Sequence, residues 1–457
     1  MLLRWRFPVS WVSNMREPIC DFLAEYNARG AVRAHMPGHK GVGGEANKYD
    51  LTEITGADSL YEACGIIAES EGYASELFGA DTFYSTEGSS LSIRAMLYLV
   101  SQYAAQMGKK CRILASRNAH KVFVGAAALL DFEVSWLPPK GGSYLDARVY
   151  GDEIKEYLHG ADELPTAVYI TSPDYLGNTL DIAEIAEACH DFGVLLLVDN
   201  AHGAYLKFLP ISRHPIDLGA DICCDSAHKT LPCLTGGAYL HISKSLPSFF
   251  RERAKEAMAT FGSTSPSYIT IASLDRVNTA LSGDYPKALA AFCEKMEALK
   301  SEISQHGYTL IGDEPLKLTF RAKDYGYSGY GLGELLERNN VYVEFADPDY
   351  LVLMLSPDTS DCELSKIKDV LLKIPPKVPI KEEPSVLSLP RRATSPREAI
   401  LSPRELIPVE DAIGRTLAAV TVGCPPAVPI VVSGEIIDTG ALSLFNYYGI
   451  EKVWVVK

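Results

Sequence analysis

Between about Thr82 and Ser243 two hydrophobic patterns alternate along the chain. Short apolar, β-branched runs at 111–115, 133–137, 167–171, 194–198, 221–224 and 238–242 read as strands. Between them, 91–107, 122–130 and 182–192 carry apolar residues at helical spacing. This alternation predicts an α/β unit with a parallel sheet covered on both faces, which binds ligands at the carboxyl ends of its strands.

Residues 17–30 read as a short helix closed by a glycine, ahead of a polar loop at 35–41. Beyond the sheet, 246–258, 269–281 and 285–305 read as helices, the last a long connection. Strand-like runs at 316–320, 341–345 and 351–355 predict a smaller α+β domain. The Pro-, Lys-, Glu- and Ser-rich stretch 374–404 reads as a linker, followed by apolar runs at 428–432 and 453–456. The expected organisation is an N-terminal segment (1–50), a large domain (51–284), a small domain (285–373), a linker (374–404) and a C-terminal segment (405–457).

Composition narrows the function classes. The 457 residues, 47% hydrophobic and 22% charged, suit a folded protein of about three domains and exclude global disorder. A net charge of −15 with no basic patch disfavours nucleic acid and anionic membranes as partners, and no run of 18 apolar residues suggests a membrane span. Ten cysteines without a CxxC pair or a Cys/His cluster at zinc spacing read as buried thiols in a reducing cytoplasm, with no metal expected. The opening MLLRWRFPVSWVSN, interrupted by Pro8, reads as a ragged leader and not an export signal.

Four segments carry chemistry. Lys229 follows a strand end in Asp225-Ser226-Ala227-His228-Lys229, where a desolvated amine suits a covalent anchor, or a loop lysine beside a helix cap. Asp199 ends the apolar strand 194–198 and precedes Asn200-Ala201-His202, a place for a pyridinium partner, a magnesium ligand or an N-cap. Ser89 and Ser90 follow Gly88 at a helix start that can hold a phosphate or simply cap itself. His120 ends a further strand, poised to lie on an aromatic ring or to cap a helix. No Walker lysine or GxGxxG is present, which weighs against nucleotide hydrolysis and hydride transfer. In conjunction, a phosphate cradle, a stacking imidazole, a carboxylate and an amine on one sheet are the parts that hold pyridoxal phosphate (PLP).

The same segments resemble the fold type I Orn/Lys/Arg decarboxylases, in particular their shorter bacterial members. The resemblance runs from about Ile19 to the C-terminus through HMPGHKG (35–41), LTEITGADSL (51–60), STEGSS (85–90), SRNAHK (116–121), TSPDYLGNTLDI (171–182), VDNAHGAY (198–205), DSAHKTLP (225–232) and STSPSY (263–268). The tail, with 423–429 and Ser433-Gly434-Glu435, is similar to the family's PPG-I-P and PGE element. The resemblance implies an aspartate-aminotransferase-like large domain, PLP as cofactor, and decarboxylation of arginine, lysine or ornithine in cytoplasmic polyamine biosynthesis, with arginine favoured. It implies that Lys229 binds the coenzyme covalently, Asp199 pairs with its ring nitrogen and His120 stacks on the ring with His202 beside it. Ser89, Ser90, Ser226 and His228 then surround the phosphate, and His228 or Lys229 returns the proton. Thr264 is the residue expected to reach the partner subunit's cofactor, so that a homodimer is the minimal unit. Two positions depart from the family pattern: Glu87 where Asn is frequent, and Asn200 where an acid follows the Asp. The absence of the large N-terminal regulatory wing points to a constitutive biosynthetic form.

For the cationic end of the substrate, Asp58 and Glu62 stand one turn apart in a helix-like stretch, as candidates or as a solvated face, and His39 and Lys40 are candidates for the rim. A competing reading, an aminotransferase or C–S lyase, takes Arg321 as the holder of the α-carboxylate. A non-catalytic PLP-binding subunit is the other alternative, disfavoured by intact Lys229, Asp199 and His120.

Overall fold

The computed structural model describes residues 15–137, 148–386, 388–423 and 428–457. The expected leader at 1–14 and positions 424–427 of the tail motif lie outside the described residues. Helices α1 (Pro18–Ala28) and α2 (Ile66–Phe78) precede strand β1 (Asp81–Ser85). Then α3 (Ser89–Gln106), β2 (Arg112–Ser116), α4 (Lys121–Leu130), β3 (Glu133–Leu137), α5 (Gly151–Gly160), β4 (Ala167–Thr171), α6 (Ile182–His190) and β5 (Leu195–Asp199) follow in strict alternation. The large domain closes with β6 (Ile222–Asp225), the short α7 (Ala227–Thr230), β7 (Ala238–Ile242), α8 (Ser248–Phe261), α9 (Tyr268–Ser282) and the long α10 (Tyr285–Gln305).

The seven strands form one sheet in the order β1-β7-β6-β5-β4-β2-β3. Its pairs from β6 to β3 are parallel, and β7 runs antiparallel to both β1 and β6. Both faces are covered. Leu114, Val168, Leu196 and Val198 pack against Ile154 and Leu158 of α5 and Ile182 and Ile185 of α6. Ile113, Ala115, Tyr169 and Leu197 pack against Leu97, Val124 and Ala254 of α3, α4 and α8. Two buried faces explain strands that are apolar at nearly every position. The pattern does not predict β1, whose Asp81-Thr-Phe-Tyr-Ser85 mixes polar and aromatic residues; its pairing with β7 supplies the missing determinant.

The small domain is an antiparallel sheet in the order β10-β11-β9-β8, built from β8 (Leu310–Ile311), β9 (Lys317–Arg321), β10 (Phe345–Ala346) and β11 (Tyr350–Met354), with α11 (Gly329–Glu337) and α12 (Asp361–Lys373). The strand expected at 341–345 is reduced to Phe345–Ala346, because the α11 end takes the backbone: Asn340 adopts a left-handed φ of 56° and the Val341 N–H bonds the Leu336 carbonyl at 3.0 Å.

The linker expectation for 374–404 also needs correction. It contains α13 (Pro396–Leu401), started by a reciprocal Ser395/Glu398 cap. Arg397 donates to the Ala128 and Leu129 carbonyls at 3.2 and 3.1 Å, fastening α13 to the negative end of α4. Beyond it, β12 (Arg404–Pro408) pairs with β15 (Lys452–Val456), β13 (Thr421–Gly423) pairs with β14 (Pro429–Val432), and α14 (Thr439–Tyr447) lies between. This segment is bolted to the end of β2. The fully buried Arg117 makes paired bonds of 2.7 and 2.8 Å to Glu435, and donates to the Pro429 and Ile430 carbonyls at 3.0 Å each. Among the described residues, no helix is long and apolar enough to cross a membrane.

Candidate active site

Parallel strands place their carboxyl ends along one edge, and a cavity of about 390 Å³ opens there. Lys229 and His228 reach it from α7, Ser226 from the turn after β6, and Asp199 and His202 from the end of β5. His120, the N-cap of α4, enters beyond β2, and Ser89 and Ser90 from the first turn of α3. The candidate anchor, carboxylate, imidazoles and hydroxyls therefore share one hollow.

Lys229 Nζ lies 3.0 Å from His202 Nε2. Burial pushes the Lys229 amine below its ordinary pKa, against the pull of the Asp199 carboxylate. Burial, reinforced by the Lys317 and Lys229 cations, drives His202 well below the ordinary imidazole range, so its ring is neutral. Its Nδ1 is buried without a hydrogen-bond partner among the described residues. Asp199 is held by the Tyr169 hydroxyl at 3.1 Å and the Ala201 N–H at 3.2 Å. His120 accepts the Val122 N–H at 3.3 Å, and burial lowers its pKa also.

At the opposite end, Ser226 donates to Ser89 across 2.9 Å, and His228 Nδ1 donates to the Gly237 carbonyl at 2.9 Å. Gly88 turns the chain into α3 with φ 68°, and a Cβ there would stand 3.8 Å from His228 Cε1, inside the cradle. The start of α3 offers hydroxyls and free N–H groups suited to an anion, and the Lys229 amine and the Asp199 carboxylate line the same cavity, a donor set that fits the groups of PLP.

The sequence model of the family described as Orn/Lys/Arg decarboxylase, major domain, matches residues 17–311, more than half of the chain. The chain belongs to the Orn/Lys/Arg decarboxylase family. Like other members, it is a PLP-dependent decarboxylase. It is 31% identical over 454 residues to the Bacillus subtilis "Uncharacterized protein YaaO", covering 92% of each chain. It is 28% identical over 468 residues to the arginine decarboxylase of Bacillus subtilis, covering 94% of this chain and 93% of the relative. Lysine decarboxylase A from Pseudomonas aeruginosa superposes with a TM-score of 0.81 at 17% identity, over 96% of this chain and 80% of that one, and shares the fold type I architecture.

In this decarboxylase the expected substrate carboxylates lie elsewhere. Asp58 lies outside any helix, just after a turn at 55–57, with φ 68°. Its carboxylate receives the N–H groups of Ser59, Cys64, Gly65 and Ile67 at 2.8–3.1 Å and caps the start of α2. Burial would raise its pKa, but these donors overcome that and hold it below the usual value. Glu62 is exposed and does not line the cavity. His39 pairs with Asp50 at 3.1 Å, also outside it. Thr264 borders a separate hollow with Met36, Thr52 and Tyr268. Arg321 bonds Glu383 at 2.5 Å and does not line the cavity, which removes the anchor of the aminotransferase reading.

The decarboxylase brings in residues that sequence reasoning missed. The Tyr175 ring meets His202 edge-on, with centroids 4.9 Å apart, and its hydroxyl donates to Glu344 at 2.6 Å. Lys317 donates to the Asp174 carbonyl at 2.9 Å. Tyr175 stands in a motif already singled out, whereas Glu344 and Lys317 belong to the small domain and carry no local signal. The two departures are also resolved. Glu87 accepts the Ser263 N–H at 2.6 Å, latching the 263–268 segment to the cavity rim. Asn200 donates at 2.6 Å to Asp225 on the neighbouring strand.

Proposed function

We propose that the protein decarboxylates arginine to its amine, as a cytoplasmic homodimeric enzyme of polyamine biosynthesis, with Lys229 as covalent anchor. The observation that carries the reading is the 3.0 Å contact of Lys229 with a neutral, buried imidazole, in the cavity that also holds Asp199. PLP, when bound, supplies the electron sink for the carbanion left by loss of CO2. Asp199 would pair with its ring nitrogen, and the α3 hydroxyls with Ser226 and His228 would hold its phosphate. His120, which lines the cavity, would cover one face of the ring. Burial favours the free-base form of the Lys229 amine, the neutral His202 ring accepts a hydrogen bond from Lys229 Nζ and orients it, and Lys229 or His228 would return a proton to the substrate carbon. The arginine preference is supported by relatives that carry that name at 28% identity. Thr264, outside its own cavity, is read as reaching the partner's. Incubation of the PLP-loaded protein with arginine, lysine and ornithine in turn, with CO2 and amine quantified, tests the proposal. Keto-acid formation without CO2 would sink it.

Glu344 takes over the role first sought at Asp58 and Glu62. It is the carboxylate that the small domain presents beside Tyr175, and its charge raises the Lys229 pKa. Glu344→Gln is expected to raise KM for the basic amino acid by about 10- to 100-fold, the worth of one charge-assisted hydrogen bond, with kcat changed less. An equal rise in KM for a neutral amino acid would refute this role.

A further inference from the structure

Behind the cofactor-facing strand ends, and independent of the reading above, lies a second cluster of reactive side chains. Cys223 and Asp225 project from one face of β6, two residues apart, and Cys223 pairs in register with His241 on β7. His214 joins them from the loop that precedes β6. All four are fully buried, and one donor atom from each lies within 4.8 Å of every other. His214 Nε2 and His241 Nε2 approach the same Asp225 oxygen at 3.0 and 3.1 Å, and Cys223 Sγ lies 4.0 Å from His214 Nε2.

We propose that His214, Cys223, Asp225 and His241 form a structural zinc site. A tetrahedral zinc sets N···O edges at about 3.4 Å and S···N edges at about 3.6 Å; the two His–Asp225 edges and the Cys223–His214 edge differ from these by about 0.3–0.4 Å, and the other edges, at up to 4.8 Å, would contract on binding. The mixture of two imidazoles, one thiolate and one carboxylate suits zinc above magnesium or calcium. The outer shell is in place: His241 Nδ1 contacts Thr82 Oγ1 at 2.9 Å, aiming Nε2 at the centre, and Asn200 occupies the other Asp225 oxygen. Binding releases the Cys223 thiol proton, and thiolate plus carboxylate then neutralise the dication in a site closed by the Phe78 ring, 4.4 Å from His241. The metal-free alternative is Asp225 accepting N–H from both imidazoles, with the Ile216 N–H 3.4 Å from His214 Nδ1. In that arrangement Cys223 serves only as a buried core residue beside Leu196 and Val198. The zinc would tie β6, β7 and the His214 loop together directly beneath Ser226 and α7.

Elemental analysis of the full chain, purified from zinc-supplemented cells without a metal-affinity step, is expected to give about one zinc per chain, whether or not PLP is loaded. Protein grown in cobalt is expected to show a thiolate-to-cobalt charge-transfer band. Cys223→Ser should remove the band, whereas Cys362→Ser, at an exposed cysteine, should keep it. Zinc well below stoichiometry in the unaltered protein, or a band that survives Cys223→Ser, overturns the site. Both primary readouts use the unaltered chain, so misfolding of a variant leaves the proposal open to refutation.

Discussion

Lys229→Ala is expected to lower turnover by on the order of 10⁴-fold or more and to abolish the visible absorption of the lysine-bound coenzyme. Among the described residues no other amine lines the cavity. Lys317, also buried and also pushed down by burial, is held on the Asp174 carbonyl at 2.9 Å and does not line the cavity. Lys229 lines it, 3.0 Å from a neutral imidazole that can accept a hydrogen bond from the amine. Borohydride reduction of the PLP-loaded protein, followed by peptide mapping, should place the label on Lys229 alone. Label on Lys317, or absorption that persists in Lys229→Ala, would reassign the anchor. Residual PLP binding through the Ser89 and Asp199 ends is expected in the variant, because those contacts do not pass through the lysine.

Glu435→Ala is expected to destabilise the protein by about 3–5 kcal/mol, read as a drop in urea midpoint. The cost arises less from the lost attraction than from what is left behind. Arg117, with a side chain 0% exposed, keeps its charge in the variant and loses both carboxylate bonds. Its two remaining acceptors, the Pro429 and Ile430 carbonyls, belong to the segment that Glu435 holds in place. Activity is expected to fall as well, since Arg117 stands three residues from His120 and Val428 lines the cavity. Glu25→Ala supplies the control: Glu25 and its partner Arg29 are 68% and 67% exposed, and loss of this pair is expected to cost about 1 kcal/mol or less. Equal losses in the two variants would contradict the assigned role of the buried pair.

Much of the large domain was legible because its determinants are local. The strands expected at 133–137, 167–171 and 238–242 coincide with β3, β4 and β7, and the helix expected at 285–305 coincides with α10. Where a neighbour decided the outcome, local pattern failed. β1 is a strand through its pairing with β7, residues 341–344 lose theirs to the end of α11, and α13 lies hidden in a Pro- and Lys-rich stretch because its partner is the distant end of α4. Asp58 shows the same limit in the site. Its spacing from Glu62 suggested a helix face, but the carboxylate turns back onto the N–H groups that begin α2.

The sequence by itself determined the alternating strands and helices, and the turns after them that carry Ser89, His120, Asp199 and Lys229, since periodicity and short motifs act between residues close in the chain. Tertiary structure alone decided that these turns meet around one cavity, that Glu344 bonds the cavity-lining Tyr175 while Asp58 caps α2, and that Arg117 is spent on Glu435. It also brought His214, Cys223, Asp225 and His241 together, across a loop and the register of two strands. Such encounters depend on sheet order and strand register, which are settled by packing over the whole domain and leave no mark on the spacing of residues along the chain.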